Sequence, residues 1–190
     1  LLISEYVEGS SNNKVIEIAN FTGIAVNLSS YSLKKSTNWS GSFTSNLALN
    51  GNLGDGQVYI IVHGSANASL ISIADTTNSG VMSFNGNDAV GLFKDDVLID
   101  LIGNASSNSN FAQNITLKRK STISNPNTVY DLAEYDSFPI DTFNDLGVHF
   151  IDGGSLTDVT PPSVPSNLLT SVISQTSVNL NWIASTDNIL

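Results

Sequence analysis

Cysteine is absent and histidine occurs only twice among the 190 residues, so the nitrogen and sulfur shell of a zinc or iron–sulfur site has too few ligands. Positive charge is scarce too: 7 Lys plus Arg stand against 17 Asp plus Glu, a formal net charge of -10. Such a surface repels a phosphate backbone, and a nucleic-acid binder would need a segregated basic face to overcome it. No apolar run reaches the roughly 18 residues of a membrane-spanning helix. The chain opens in a strand-like pattern without a charged n-region, so a mature or trimmed chain is expected. The lack of cysteine fits a cytosolic protein or a bacterial secreted one held by its core, and argues against a disulfide-stapled eukaryotic domain.

Uncharged polar residues take the place of charge. Charged residues are 13% of the chain, about half the usual share, whereas Asn, Ser and Thr make up roughly a third of it. A hydrophobic fraction of 41% is enough to fill a core. Asn-x-Ser/Thr sequons at Asn20, Asn27, Asn38, Asn67, Asn104 and Asn114 are what chance produces in such a composition.

Apolar residues alternate or form short runs bounded by Gly, Asn, Asp and Ser, the signature of strands. Strands are predicted at Leu2 to Val7, Val15 to Ala19, Ser32 to Lys35, Val58 to His63, Val81 to Phe84, Ala89 to Phe93, Val97 to Ile102 and Ile115 to Arg119. In the first, Ile3, Glu5 and Val7 should share one face and Leu2, Ser4 and Tyr6 the other. In the second, Ile16 and Ile18 should face the core, with the Glu17 side partly wet. Asn50-Gly51, Asn85-Gly86-Asn87-Asp88 and Lys94-Asp95-Asp96 read as turns. One helical turn is expected around Ala66 to Ile73, with Ala68, Leu70 and Ile71 inward. This many short strands predict an all-β sandwich or barrel. Asp131 to Asp158 reads as acidic and irregular, with seven of the 17 acids. Three segments follow: a β-sandwich over 1–152, a Gly/Pro linker over 153–165 and the start of a second β module over 166–190.

Ile3 to Gly9 with Ile16 to Asn20, Val26 to Leu33, Phe84 to Leu92, Val97 to Gly103 and Leu117 to Lys120 together resemble bacterial lamin tail domains, in the right order over roughly residues 1–150. The resemblance implies an immunoglobulin-like β-sandwich. Asp158 to Pro165 with Ser177 to Trp182 resembles the start of a fibronectin type III module, in which the Trp belongs to the core. About 30 residues are present where such a domain needs about 100, so this fragment is not expected to fold alone. Together the two resemblances imply secreted multidomain proteins of Bacteroidota-like bacteria, with type IX secretion as the implied export route, and some relatives of that kind carry nuclease domains.

Candidate chemistry is sparse. His63 and His149 lack a local nucleophile or orienting partner and read as structural or surface residues. There is no Gly-x-Ser-x-Gly elbow and no phosphate-binding Gly-Lys-Ser/Thr. Lys118 and Lys120 should share one strand face, with Arg119 on the other; edge protection or pairing with carboxylates competes with contact to an anionic ligand. Trp39 and Phe43 are the candidate aromatic contacts, against capping of a sandwich end. Asp88, Asp95 and Asp96 are the calcium candidates, against local hydrogen bonding in turns. Thr76, in Asp75-Thr76-Thr77, is the O-glycosylation candidate.

These readings point to a non-catalytic secreted or cell-surface module that binds protein or surface glycan through loops or a sheet edge and spaces neighbouring domains. No organic cofactor, nucleic-acid contact or membrane insertion is expected of it. The alternative is an accessory domain of an extracellular hydrolase, for instance a nuclease, whose catalytic part lies outside these residues. A nuclear or cytosolic structural role as in lamins is disfavoured, because no heptad rod precedes the domain.

Overall fold

Period-2 alternation lets a strand bury one face, and where two sheets stack, both inner faces join one core. The computed structural model describes residues 1–38, 40–152 and 162–186, and the chain divides into two compact units, Leu1–Gly154 and Ser155–Leu190. In the first unit the elements are β1 Leu2–Glu8, β2 Lys14–Ala19, β3 Val26–Asn27, β4 Tyr31–Ser36, β5 Ser45–Ala48, β6 Asn52–Leu53, β7 Val58–Val62, α1 Ala68–Ser72, β8 Thr76–Thr77, β9 Ala89–Lys94, β10 Val97–Ile102, β11 Ile115–Arg119 and β12 Tyr135–Pro139. One sheet has the order β12-β11-β1-β2-β7-β8 and the other β10-β9-β4-β5, with β3 and β6 as a separate short pair. Ile3, Tyr6, Ile16, Ile18, Ile61 and Leu117 from the larger sheet meet Leu33, Val90, Leu92 and Ile102 from the smaller. This is an immunoglobulin-like β-sandwich.

Several elements differ from the sequence reading. Val81 to Phe84 is a turn and loop that pairs with no strand, yet Val81, Met82 and Phe84 are buried. An apolar run reports burial, and here it plugs the sandwich where a ladder was expected. Tyr135–Pro139 is a strand inside the segment read as irregular, with Asp136 and Ser137 exposed; as the outermost strand of its sheet it tolerates Pro139. In α1 only Leu70 is buried, while Ala68 and Ile71 face solvent; Asn67 Oδ1 caps it by accepting the Leu70 amide at 2.9 Å.

The turns follow their chemistry. Asp95 and Asp96 have φ of 47° and 62° between directly paired Lys94 and Val97, a two-residue turn whose twist suits a hairpin. Gly86 has φ of 92°, and a Cβ there would lie 2.4 Å from Gln113 Cα, so only glycine lets the two loops meet.

The second unit contains the antiparallel hairpin β13 Ser166–Ser174 and β14 Ser177–Ile183, in which every residue is exposed, Leu180 at 47% and Trp182 at 57%.

Candidate functional site

The larger sheet has a second, outer face, and it is covered. Along β1 the pairing runs Ile3 with Ile18 and then Glu5 with Glu17, so Ser4 is an extra residue in a bulge. The bulge changes the phase of β1, and Ile3 and Tyr6 both enter the core between the sheets while Val7 packs on the outer face. The expected grouping of Ile3 with Val7 therefore fails at Ser4. On the outer face Val7, Val15, Ile60 and Val62 pack with Leu70, Phe143 and Leu146. Glu17, expected to be partly wet, is 0% exposed. Its Oε1 accepts the Ser4 hydroxyl and its Oε2 the Gly147 amide, each at 2.7 Å. The segment from Thr142 to Phe150 thus closes over β1 and β11 and is tied down through Glu17.

Under this segment lies a cleft of about 430 Å3, lined in part by Glu5, Lys118, Lys120, Asp145, His149 and Phe150. Glu5 is 3% exposed and stands opposite Glu17 on one side and Lys118 on the other. Burial pushes its carboxyl up to about 8; Lys118 works against that rise, and Glu17 and Asp145 add to it. Glu5 is therefore a neutral acid at pH 7, and its buried Oε1 has no hydrogen-bond partner. Burial likewise raises the pKa of Glu17. Lys118 Nζ lies 2.5 Å from Asp145 Oδ2 and 4.8 Å from the centre of the Phe138 ring. Burial, with Arg119 adding to it, lowers His149 to about 4, so it is neutral, and its buried Nε2 is also unpartnered.

Arg119 turns away from Lys118 into a buried knot. It donates to Asp100 Oδ1 at 3.0 Å and to the Tyr135 hydroxyl at 2.6 Å, and Asp100 also accepts the Ile3 and Asn127 amides. The knot joins the two sheets through β1, β10, β11 and β12.

The remaining sequence candidates are scattered. Trp39 lies outside the described residues. Phe43 is half-buried on the smaller sheet, its ring edge-on to Phe93 at 5.1 Å. It sits above Gly91, where a Cβ would come within 3.3 Å of it. Lys120 donates to the Ala133 carbonyl at 2.8 Å. Because β12 pairs outside β11, edge protection does not explain Lys118 on β11.

Asp88 and the pair Asp95 and Asp96 sit at opposite ends of β9, about 20 Å apart at strand rise, so the three calcium candidates do not form one site. Asp88 accepts the Asn38 amide at 2.8 Å and Asp96 pairs with Lys34 at 2.7 Å. Among the described residues no group of three or more Asp, Glu or His is arranged to hold a metal ion. Thr76 is half-buried on β8, and Thr77 beside it is exposed. His63 Nδ1 accepts the Ser65 amide at 3.0 Å.

Sequence reasoning missed Glu5, Glu17 and Asp145. A glutamate at the centre of each of two apolar strands was the signal for the first pair. Nothing local marks Asp145, which reaches Lys118 across 27 residues of chain.

Several lysines and the one arginine of this immunoglobulin-like sandwich are held in pairs with carboxylates of the same fold. Residues 1–106 match the model of the lamin tail domain family, and the chain belongs to that family of non-catalytic immunoglobulin-like domains. Comparison with curated proteins and with solved structures gave no match.

Proposed function

We propose that this chain is an interaction and spacer module of a larger secreted or cell-surface bacterial protein. The observation that carries the reading is where its polar chemistry goes. Lys14 pairs with Glu8, Lys34 with Asp96, Lys118 with Asp145 and Arg119 with Asp100, all within the fold. Among the described residues neither histidine is hydrogen-bonded to a hydroxyl nucleophile, as a Ser-His site would need. The exposed remainder is dressed mainly in Asn, Ser and Thr, a coat that keeps a module soluble without specifying an anionic partner.

Partner contact by strand addition would use β5, outermost in the smaller sheet, with residues alternately half-buried and exposed. The hairpin β13–β14, with Leu180 and Trp182 at alternate positions, supports reading residues 166–190 as the start of a fibronectin type III-like domain. The alternative, an accessory domain of an extracellular hydrolase, has only the sequence resemblance behind it.

Protease shaving of intact producing cells, followed by immunoblotting for this chain, tests the location. Loss of the signal on shaving, or its presence in the culture medium, supports the proposal, and protection until the cells are lysed overturns it. Hydrolysis of nucleic acid by the purified chain would overturn the non-catalytic part.

A further inference from the structure

The contact between Lys118 and Asp145 differs from the Lys34–Asp96 and Lys14–Glu8 pairs in what surrounds it. Asp96, the partner of Lys34, is 88% exposed on a turn, and the second oxygen of Glu8, the partner of Lys14, is occupied by the Asn114 amide. The Lys118 side chain is only 12% exposed and lies over the Phe138 ring. A third carboxyl, Glu5, is its direct neighbour across the β1–β11 ladder, buried and with one oxygen unpartnered. Directly opposed strand residues have Cβ atoms about 5 Å apart, so this carboxyl is within reach of the amine. Glu17 holds Gly147 and, through it, the turn that carries Asp145 over Lys118.

We propose that Lys118 and Asp145 condense within the folded chain into an isopeptide bond, with Glu5 carrying the protons.

Condensation requires the neutral amine and the neutral acid, reached when one proton passes within the ion pair from Lys118 Nζ to Asp145 Oδ2. Lys118 Nζ then adds through its lone pair to Asp145 Cγ. Nζ already lies 2.5 Å from Oδ2, one bond from that carbon, so the encounter is prepaid by the fold. The carboxylate form of Glu5 takes a proton from Nζ, and its acid form returns one to the departing hydroxyl. A C–N bond forms, a C–O bond breaks, one water leaves and Glu5 is regenerated. No oxidant or other co-reactant is consumed. Because Glu5 is held near pH 8, both of its forms are accessible at neutral pH. Asp145, with its side chain 62% exposed, forms the open side through which the water departs. The inference does not depend on the cellular location proposed above.

The test is the intact mass of the purified full chain after incubation at neutral pH, with peptide mapping by tandem mass spectrometry. The expected result is a mass one water below that of the sequence and a branched peptide joining Lys118 to Asp145. Lys118→Arg and Asp145→Ala should each restore the full mass and melt lower than the parent chain. Glu5→Gln should show the full mass while keeping a cooperative melt, since glutamine mimics the neutral acid. A full mass in the parent chain overturns the proposal. So does a water loss that persists in Lys118→Arg, the result expected of a succinimide at Asp55-Gly56. Undiminished cross-linking in Glu5→Gln overturns the role assigned to Glu5.

Discussion

Glu5 and Glu17 oppose each other on a covered sheet face, where two like charges side by side are destabilising. The fold answers by keeping Glu5 protonated. Its folded-state value of about 8 lies above the ordinary 4.5, so its contribution to stability is complete below about pH 4.5 and is lost as pH rises through 8. Glu17, also raised, acts in the same direction. In the Lys118→Arg background, where no cross-link can form, Glu5→Gln should therefore stabilise the protein progressively from pH 5 to pH 8.5, by an amount on the order of 4 kcal/mol at the alkaline end, measured by urea unfolding at each pH. His149 acts oppositely. Its value is depressed to about 4, so stability present above about pH 6.5 is lost as pH falls through 4, and His149→Gln should flatten that acid limb. Arg119 is the other residue on which much depends. Arg119→Met leaves Asp100 buried without its cation and should cost about 3 to 5 kcal/mol by chemical denaturation. Arg119→Lys should rescue only part of it, because one ammonium cannot reproduce the branched contacts to Asp100, Tyr135 and Asn125.

Among the elements, strands with period-2 alternation and Gly, Asn or Asp turns were legible, and β2, β7, β9, β10 and β11 fall within a residue or two of their predicted ranges. The β9–β10 turn lends itself to a direct check. Asp95 and Asp96 both adopt positive φ, so replacing the pair by Asn-Gly should raise the melting temperature, while Asp95→Val should cost about 1 to 2 kcal/mol. β12 was not legible, because Asp136 and Ser137 interrupt any apolar pattern. Its register against β11, from Ile115 with Pro139 to Arg119 with Tyr135, is set by neighbours distant in sequence. Val81 to Phe84 misled for the converse reason: burial without a strand partner gives the same apolar run.

At the scale of the whole molecule, the main core is built from residues between Leu1 and Tyr135. Residues 1–152 alone should therefore unfold cooperatively, with a melting temperature close to that of the whole chain; a molten or aggregated fragment by circular dichroism would contradict this. The sequence by itself established an acidic balance, the lack of cysteine and a strand-rich fold, because these depend on residue types and on spacing of a few positions. Period 2 also establishes that each strand has two faces. It does not say whether the second face is covered, and the cover here is the segment from Thr142 to Phe150, whose Gly147 meets Glu17 across 130 residues. Only the tertiary structure could turn Glu5 and Glu17 from surface acids into buried ones and bring Asp145 onto Lys118. The reason is physical: a carboxylate's solvation and pKa are set by what is packed within a few ångströms of it, and local sequence does not encode which distant loop that will be.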